Sequence, residues 1–210
     1  MRVLIIGSTG GTGRQLVKQA LERGYEVTAL ARNPSNTPDQ HRNLTVVRGD
    51  VMDAARMDEV VAGHDAVLSA LGHKRWFYPN RILSEGTDNV LRGMEKHGIR
   101  RFVCETALGV GDSWWRMGVY YTLFVMPFIL PFYFWDKHRQ ESLIRASSLD
   151  WVIVRPGALT NGSRRGVYRH GFDIGNPIST VRISRADVAD FMLNQLSDDT
   201  WLRSTPGLAW

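Results

Sequence analysis

Cysteine is almost missing from this chain. Cys104 is the sole example in 210 residues, so an internal disulfide framework and a Cys-x-x-Cys metal site are both excluded. Lysine is nearly as scarce: of 26 basic residues only four are Lys and the rest are Arg. The arginines are scattered, with no basic stripe interleaved with aromatics, so nucleic acid is not an expected partner. The six histidines fall in no metal-ligand spacing, and no metal is expected. The G-x-S-x-G nucleophile elbow is absent, which removes the obvious hydrolase reading. No repeat, low-complexity linker or second composition regime interrupts the chain. The opening "MRVLIIG" has too short an apolar run for a secretory signal, and we expect a cytoplasmic protein.

What is present reads as one globular domain over residues 1–210. Apolar residues make up 43% and charged residues 22%, enough for one sizeable core. The net charge of +5 favours anionic ligands weakly. Short apolar runs ("RVLII", "YEVTALAR", "NLTVVRGD", "DAVLSALG", "RRFVCETA", "DWVIVRP") alternate with stretches of helical spacing that end at Gly24 and Gly98. "GVYRHG" and "STVRIS" read as short accessory strands, and Ser184 can cap a last helix. Apolar strands alternating with helices imply an α/β, Rossmann-type doubly wound parallel sheet covered on both faces.

The strongest motif is "GSTGGTG", between the first strand and the first helix. Gly7, Gly10 and Gly13 permit a tight turn, close approach to a pyrophosphate and close helix packing, while the helix N-terminus offers free N–H groups. Ser8, Thr9 and Thr12 add hydroxyl donors. The end of the second strand, "LARNPSN", lacks the acid that would hold the ribose hydroxyls of NAD. Arg32 stands there instead, and its planar fork suits the 2′-phosphate of NADP. We therefore expect NADP(H). Asp50 and Val51 of "GDV" follow the third strand, where a carboxylate can reach the adenine amine or cap a helix. Ala70, Leu71 and Gly72 end the fourth strand and should lie along the cofactor.

These motifs, with "VAGHDAVLSALG", "SEGTDNVLRGMEKHGIRRFV" and "LDWVIVRPGALTNG", resemble the atypical short-chain dehydrogenases of the NAD(P)-binding, NmrA-like group. Within that group the pattern is most similar to the biliverdin-IX-beta reductases, or flavin reductases. The resemblance implies a Rossmann fold, NADPH, and hydride transfer to flavins, tetrapyrroles or quinones. In classical members a Ser or Thr after the fifth strand binds substrate; here Thr106 is the candidate, followed by Ala107 where relatives carry serine. A Tyr-x-x-x-Lys pair supplies the proton and holds the nicotinamide ribose in those members, and Tyr133 with Lys137 has that spacing on one helical face. Pro156, in "RPGAL", can meet the nicotinamide amide. The biliverdin reductases carry His at the lysine position, so this chain departs from them at the reacting centre.

Between Met117 and Trp135 no residue is charged. The length is near that of a membrane span, but the flanking strands belong to one sheet, so a single crossing would tear the fold, and Pro127 and Pro131 interrupt a helix. We expect residues 108–135 to form an apolar insertion whose aromatic part acts as a lid over the nicotinamide. Tyr121, Phe124, Phe128 and Phe132 recur at spacings of three and four and are the candidates for the substrate side. Peripheral membrane contact, a homodimer contact and core filling are the competing roles. The functional expectation is an NADPH-dependent reductase of a small, planar, apolar acceptor, acting as a monomer or homodimer. A non-catalytic NADP sensor and an epimerase or dehydratase are the alternatives.

Overall fold

The computed structural model describes residues 1–34, 41–73 and 78–210. Ser35 and Asn36 of the "LARNPSN" turn lie outside the described residues. In chain order the elements are β1 (Arg2–Ile6), α1 (Gly11–Glu22), β2 (Glu26–Ala31), β3 (Leu44–Arg48), α2 (Ala54–Val61), β4 (Ala66–Ser69), α3 (Ile82–Lys96) and β5 (Arg101–Glu105). Next come a π-helix over Tyr121–Ile129, then α4 (Pro131–Ala146), β6 (Asp150–Pro156), β7 (Ala158–Thr160), β8 (Arg169–Gly171), β9 (Arg182–Ser184), α5 (Arg185–Asn194) and β10 (Gly207–Ala209).

The strands lie in the order β3-β2-β1-β4-β5-β6-β10-β8, parallel except for the β10–β8 pair. This is the doubly wound Rossmann arrangement, whose direction of winding reverses between β1 and β4. Both faces are covered, which is why β1 and β6 are apolar at successive positions instead of alternating. One face buries Leu16, Val17, Val188 and Phe191 of α1 and α5 against the sheet. The other buries Met57, Val90, Met94 and Ile144 of α2, α3 and α4. The C-terminal strand β10 and the short β7, which pairs with β9 outside the main sheet, were too short to show a period in the sequence.

Two helix starts show how local chemistry sets the frame. Ser184 caps α5 as expected, its hydroxyl accepting from the Asp187 amide at 2.9 Å. At α3 no residue of the helix itself caps the start; Asp136, from α4, accepts from the amides of Leu83 and Ser84 at 2.8 and 3.2 Å. This long-range cap ties α4 to α3 and so fixes the helix that carries Lys137. Among the described residues no helix is long and apolar enough to cross a membrane.

The uncharged run folds as two helical pieces. Pro127 lacks an N–H, and its ring would clash with the carbonyl four residues earlier in an α-helix. The stretch winds instead as a π-helix, with the Leu130 amide bonded to Val125 O at 2.9 Å. Pro131 then opens α4 at its first position, where the missing N–H leaves nothing unsatisfied.

Candidate active site

A cleft of about 880 Å³ runs across the C-terminal ends of β1, β2, β4, β5 and β6. The loop after β1 forms its floor. Gly7 has φ +74°, and a Cβ there would lie 2.4 Å from Ala70 O. A Cβ on Gly13 would lie 2.0 Å from Gly7 O. The loop therefore folds tightly only with glycine at both places, and it leaves backbone amides at the start of α1 facing the cleft. Gly7, Thr9, Gly10 and Thr12 line the cleft, whereas Gly13 works behind it, letting α1 sit on the loop.

Two of the expected hydroxyl donors are already committed. Ser8 is fully buried and donates to Leu30 O at 2.7 Å; it lies outside the cleft lining and locks the loop to β2. The Thr12 hydroxyl donates to Glu105 Oε1 at 3.0 Å. Arg32, Asp50 and Val51 line one end of the cleft, and Ala70, Leu71 and Gly72 its side. The Asp50 carboxylate accepts from the Met52 amide at 3.1 Å. The cap of α2 is Asp53, so Asp50 is not that helix's cap.

At the other end Tyr133 and Lys137 meet on one face of α4. Lys137 is 2% exposed, with Nζ 5.2 Å from the Tyr133 ring centroid and donating to Glu105 O at 3.4 Å. Burial works against its ammonium, but the combined pull of Tyr133, Cys104, Glu105 and Glu141 outweighs it and holds the pKa above the ordinary lysine value. Glu105 is also raised, which for an acid means a bias toward the neutral form: burial pushes it up, against the Lys137 charge and the Thr12 hydroxyl. Burial pushes the Cys104 thiol up to about 12, which leaves it an inert core group.

Thr106 borders the cleft, but its proton is spent on Glu141 Oε1 at 2.7 Å. A hydroxyl free to donate to a substrate is not what this geometry offers. Glu141 is in turn gripped by Arg155, Nε to Oε1 at 3.0 Å and Nη2 to Oε2 at 2.5 Å, with both side chains buried. This fork–fork pair fastens α4 to β6 beneath the Lys137 end of the cleft. Pro156 lines the cleft directly after Arg155.

The aromatic segment divides in a way the sequence spacing did not show. Tyr121 lines the cleft, together with Met117, Leu130 and Phe134. Phe124 and Phe128, expected on the substrate side, are 56% and 74% exposed and lie outside the lining. Phe132 is half-buried and also outside it. The physical reason is the winding. A π-helix turns less per residue than an α-helix, so spacings of three and four drift off one face, and the break at Leu130 reorients α4 relative to it.

Sequence reasoning missed several lining residues. Arg185, the first residue of α5, borders the cleft, and a Cβ on Gly11 would lie 2.5 Å from its Cδ. Glu105 read as one more strand residue in "RRFVCETA". Both come together from distant parts of the chain, and no local period marks them.

Residues 7–199 match the sequence profile of the NAD(P)H-binding family. Ycf39 of Synechocystis, a photosystem II assembly factor, is 31% identical over 218 residues, covering 98% of this chain and 61% of its own. The chain spans between 31% and 61% of the length of the curated relatives it first matches. Among solved structures, ChuY, an anaerobilin reductase of Escherichia coli O157:H7, superposes with a TM-score of 0.81 at 23% identity, covering 100% of this chain and 97% of that one. A short-chain dehydrogenase/reductase of Veillonella parvula in complex with NADP reaches 0.83 at 17% identity, covering 100% and 94%. At such identities these two likenesses speak for the fold.

Proposed function

The chain belongs to the NAD(P)H-binding family, and within it we propose an NADPH-dependent reductase that delivers hydride to a planar, apolar acceptor such as a flavin, quinone, tetrapyrrole or aromatic polyketide-like compound. The observation that carries this reading is the buried Lys137 ammonium beside Tyr133, at the end of the cleft away from Arg32. When bound, the cofactor supplies a hydride from its nicotinamide ring. The residues present fit that group. The glycine loop packs tightly against the backbone of Ala70 and Leu71, where any side chain at Gly7 would clash, and lines the cleft where a diphosphate would lie. Arg32 would pair with a 2′-phosphate, and Asp50 and Val51 would lie at the adenine end. Lys137 would hold the nicotinamide ribose, and Tyr133, against its ammonium, would be the proton donor to the acceptor. Met117, Tyr121, Leu130 and Phe134 form an apolar wall that suits a flat conjugated ring and keeps water from the transfer.

The committed Thr106 hydroxyl favours one other reading, a non-catalytic NADP sensor, because it removes the usual second donor to a substrate carbonyl. Acceptors that need no such donor, flavins above all, remain compatible with the enzyme. NADPH consumption against a panel of FMN, biliverdin and quinones separates the two. Turnover with any of them that falls in Lys137→Ala supports the reductase. Tight NADPH binding with no turnover supports the sensor.

A further inference from the structure

Residues 114–135 expose large apolar side chains in number: Trp114, Trp115, Val119, Tyr120, Leu123, Phe124, Phe128, Ile129 and Trp135 are all more than two-fifths exposed, and Tyr120 stacks on Phe124. At about 200 Å² for each large side chain, half exposure of these residues leaves on the order of 900 Å² of apolar surface. The largest patch on an ordinary monomer is about 300–600 Å². An exposed π-helix whose residues point outward in such number is not a core that failed to close, since the inward side already buries Val125 and lines the cleft through Tyr121.

The charges around the patch identify what it fits. Between Ser113 and Trp135 the one charged residue is Arg116. Its guanidinium lies 5.2 Å from the Trp115 ring centroid, and Arg139 lies 5.0 Å from that of Trp135. Asp112, at the edge, is engaged by Arg155 at 2.6 Å and Arg145 at 3.8 Å. The neighbouring acids Asp136 and Glu141 are buried. The patch is therefore apolar with Trp and Tyr among its members, and Arg116 and Arg139 lie against two of its tryptophans; Arg116 also donates to Phe172 O, beside the exposed Asp173. Trp and Tyr favour the boundary between hydrocarbon and headgroups, and the cations complement anionic headgroups.

We propose that this face seats the protein on an anionic lipid surface, with Phe124, Phe128 and Leu123 entering the acyl boundary and Arg116 and Arg139 at headgroup level. The seat stands on the surface chemistry and does not depend on the reductase reading. Joined to that reading, it places the wall residues Tyr121 and Leu130 on the same segment as the lipid contact, so that a lipid-soluble acceptor reaches the cleft from the membrane side.

The test is flotation of the full chain with vesicles of phosphatidylcholine alone and of phosphatidylcholine with phosphatidylglycerol, alongside quenching of tryptophan emission by brominated lipid. Wild type should float with the anionic vesicles and be quenched. Phe124→Ser/Phe128→Ser should lower partitioning by at least about ten-fold, and Arg139→Glu should weaken binding to anionic vesicles in particular. NADPH affinity and melting temperature of Phe124→Ser/Phe128→Ser should stay as in wild type, because both side chains already face solvent. Absence of flotation and quenching in wild type would overturn the proposal whatever the variants do. So would a concentration-dependent dimer in sedimentation that Phe124→Ser/Phe128→Ser dissolves, which would assign the face to a second copy. Loss of NADPH binding in wild type would leave the lipid seat standing and sink the reductase instead.

Discussion

Replacing Glu141 by alanine should be among the most damaging single changes in this molecule, although Glu141 is remote from solvent and has no proposed part in proton transfer. The carboxylate accepts two bonds from Arg155 and one from Thr106, and both charged partners are buried. Removing it leaves the Arg155 guanidinium with Asp112 alone, at 2.6 Å and on the surface. Breaking a buried pair from one side costs about 3–5 kcal/mol, and the surviving Asp112 contact pulls the cost toward the lower figure. In a chain of this length each kcal/mol moves the melting temperature by about 2–4 °C. Glu141→Ala should thus melt roughly 6–15 °C below wild type by calorimetry. Glu141→Leu with Arg155→Met should recover most of that loss, because it removes both charges together. A Glu141→Ala protein melting within about 2 °C of wild type would refute the reasoning, as would a double variant no better than the single one.

The same geometry sets four further outcomes. Arg32→Ala should weaken NADPH binding by about 10- to 150-fold, the worth of a charge-assisted pair of about 1.5–3 kcal/mol, and leave NADH binding unchanged in parallel titrations. Lys137→Ala should reduce turnover far more than stability, and Tyr133→Phe should cost about 100-fold or more if its hydroxyl is the proton source; full activity in both would displace the reacting centre. Tyr121→Ala should raise KM for a bulky aromatic acceptor, whereas Phe128→Ala should leave it near wild type for a soluble one. Glu105 has a folded-state pKa raised chiefly by burial, so the folded chain holds a proton that the unfolded chain has released. Its contribution to stability is then full below the ordinary glutamate range and is lost as pH rises through the raised value; urea denaturation across that window should show this as a pH-dependent difference between wild type and Glu105→Gln.

The parallel sheet and the phosphate loop were readable because each rests on local signals: apolar runs, glycine spacing and helix stops. Arg32, Asp50 and Gly72 were placed by their position after successive strands, which topology carries to one edge. Glu105, Arg185 and the Glu141–Arg155 fork were hidden for the converse reason, since each acts through a partner distant in the chain. Ser8 and Thr12 show a related limit: their type predicts a donor, but only the packed loop reveals that the proton goes to Leu30 and Glu105. The aromatic segment was misread in its facing, because an α period was applied to a stretch that Pro127 turns into a π-helix.

The most direct test of the reductase is steady-state consumption of NADPH by purified wild-type protein and Lys137→Ala, with FMN, biliverdin, quinones and aromatic polyketide-like acceptors offered in turn. At least one planar acceptor should drive oxidation of NADPH in preference to NADH, and the lysine variant should bind acceptor but turn it over far more slowly. Saturating NADPH binding with no oxidation above background for any of these acceptors would contradict the reductase reading.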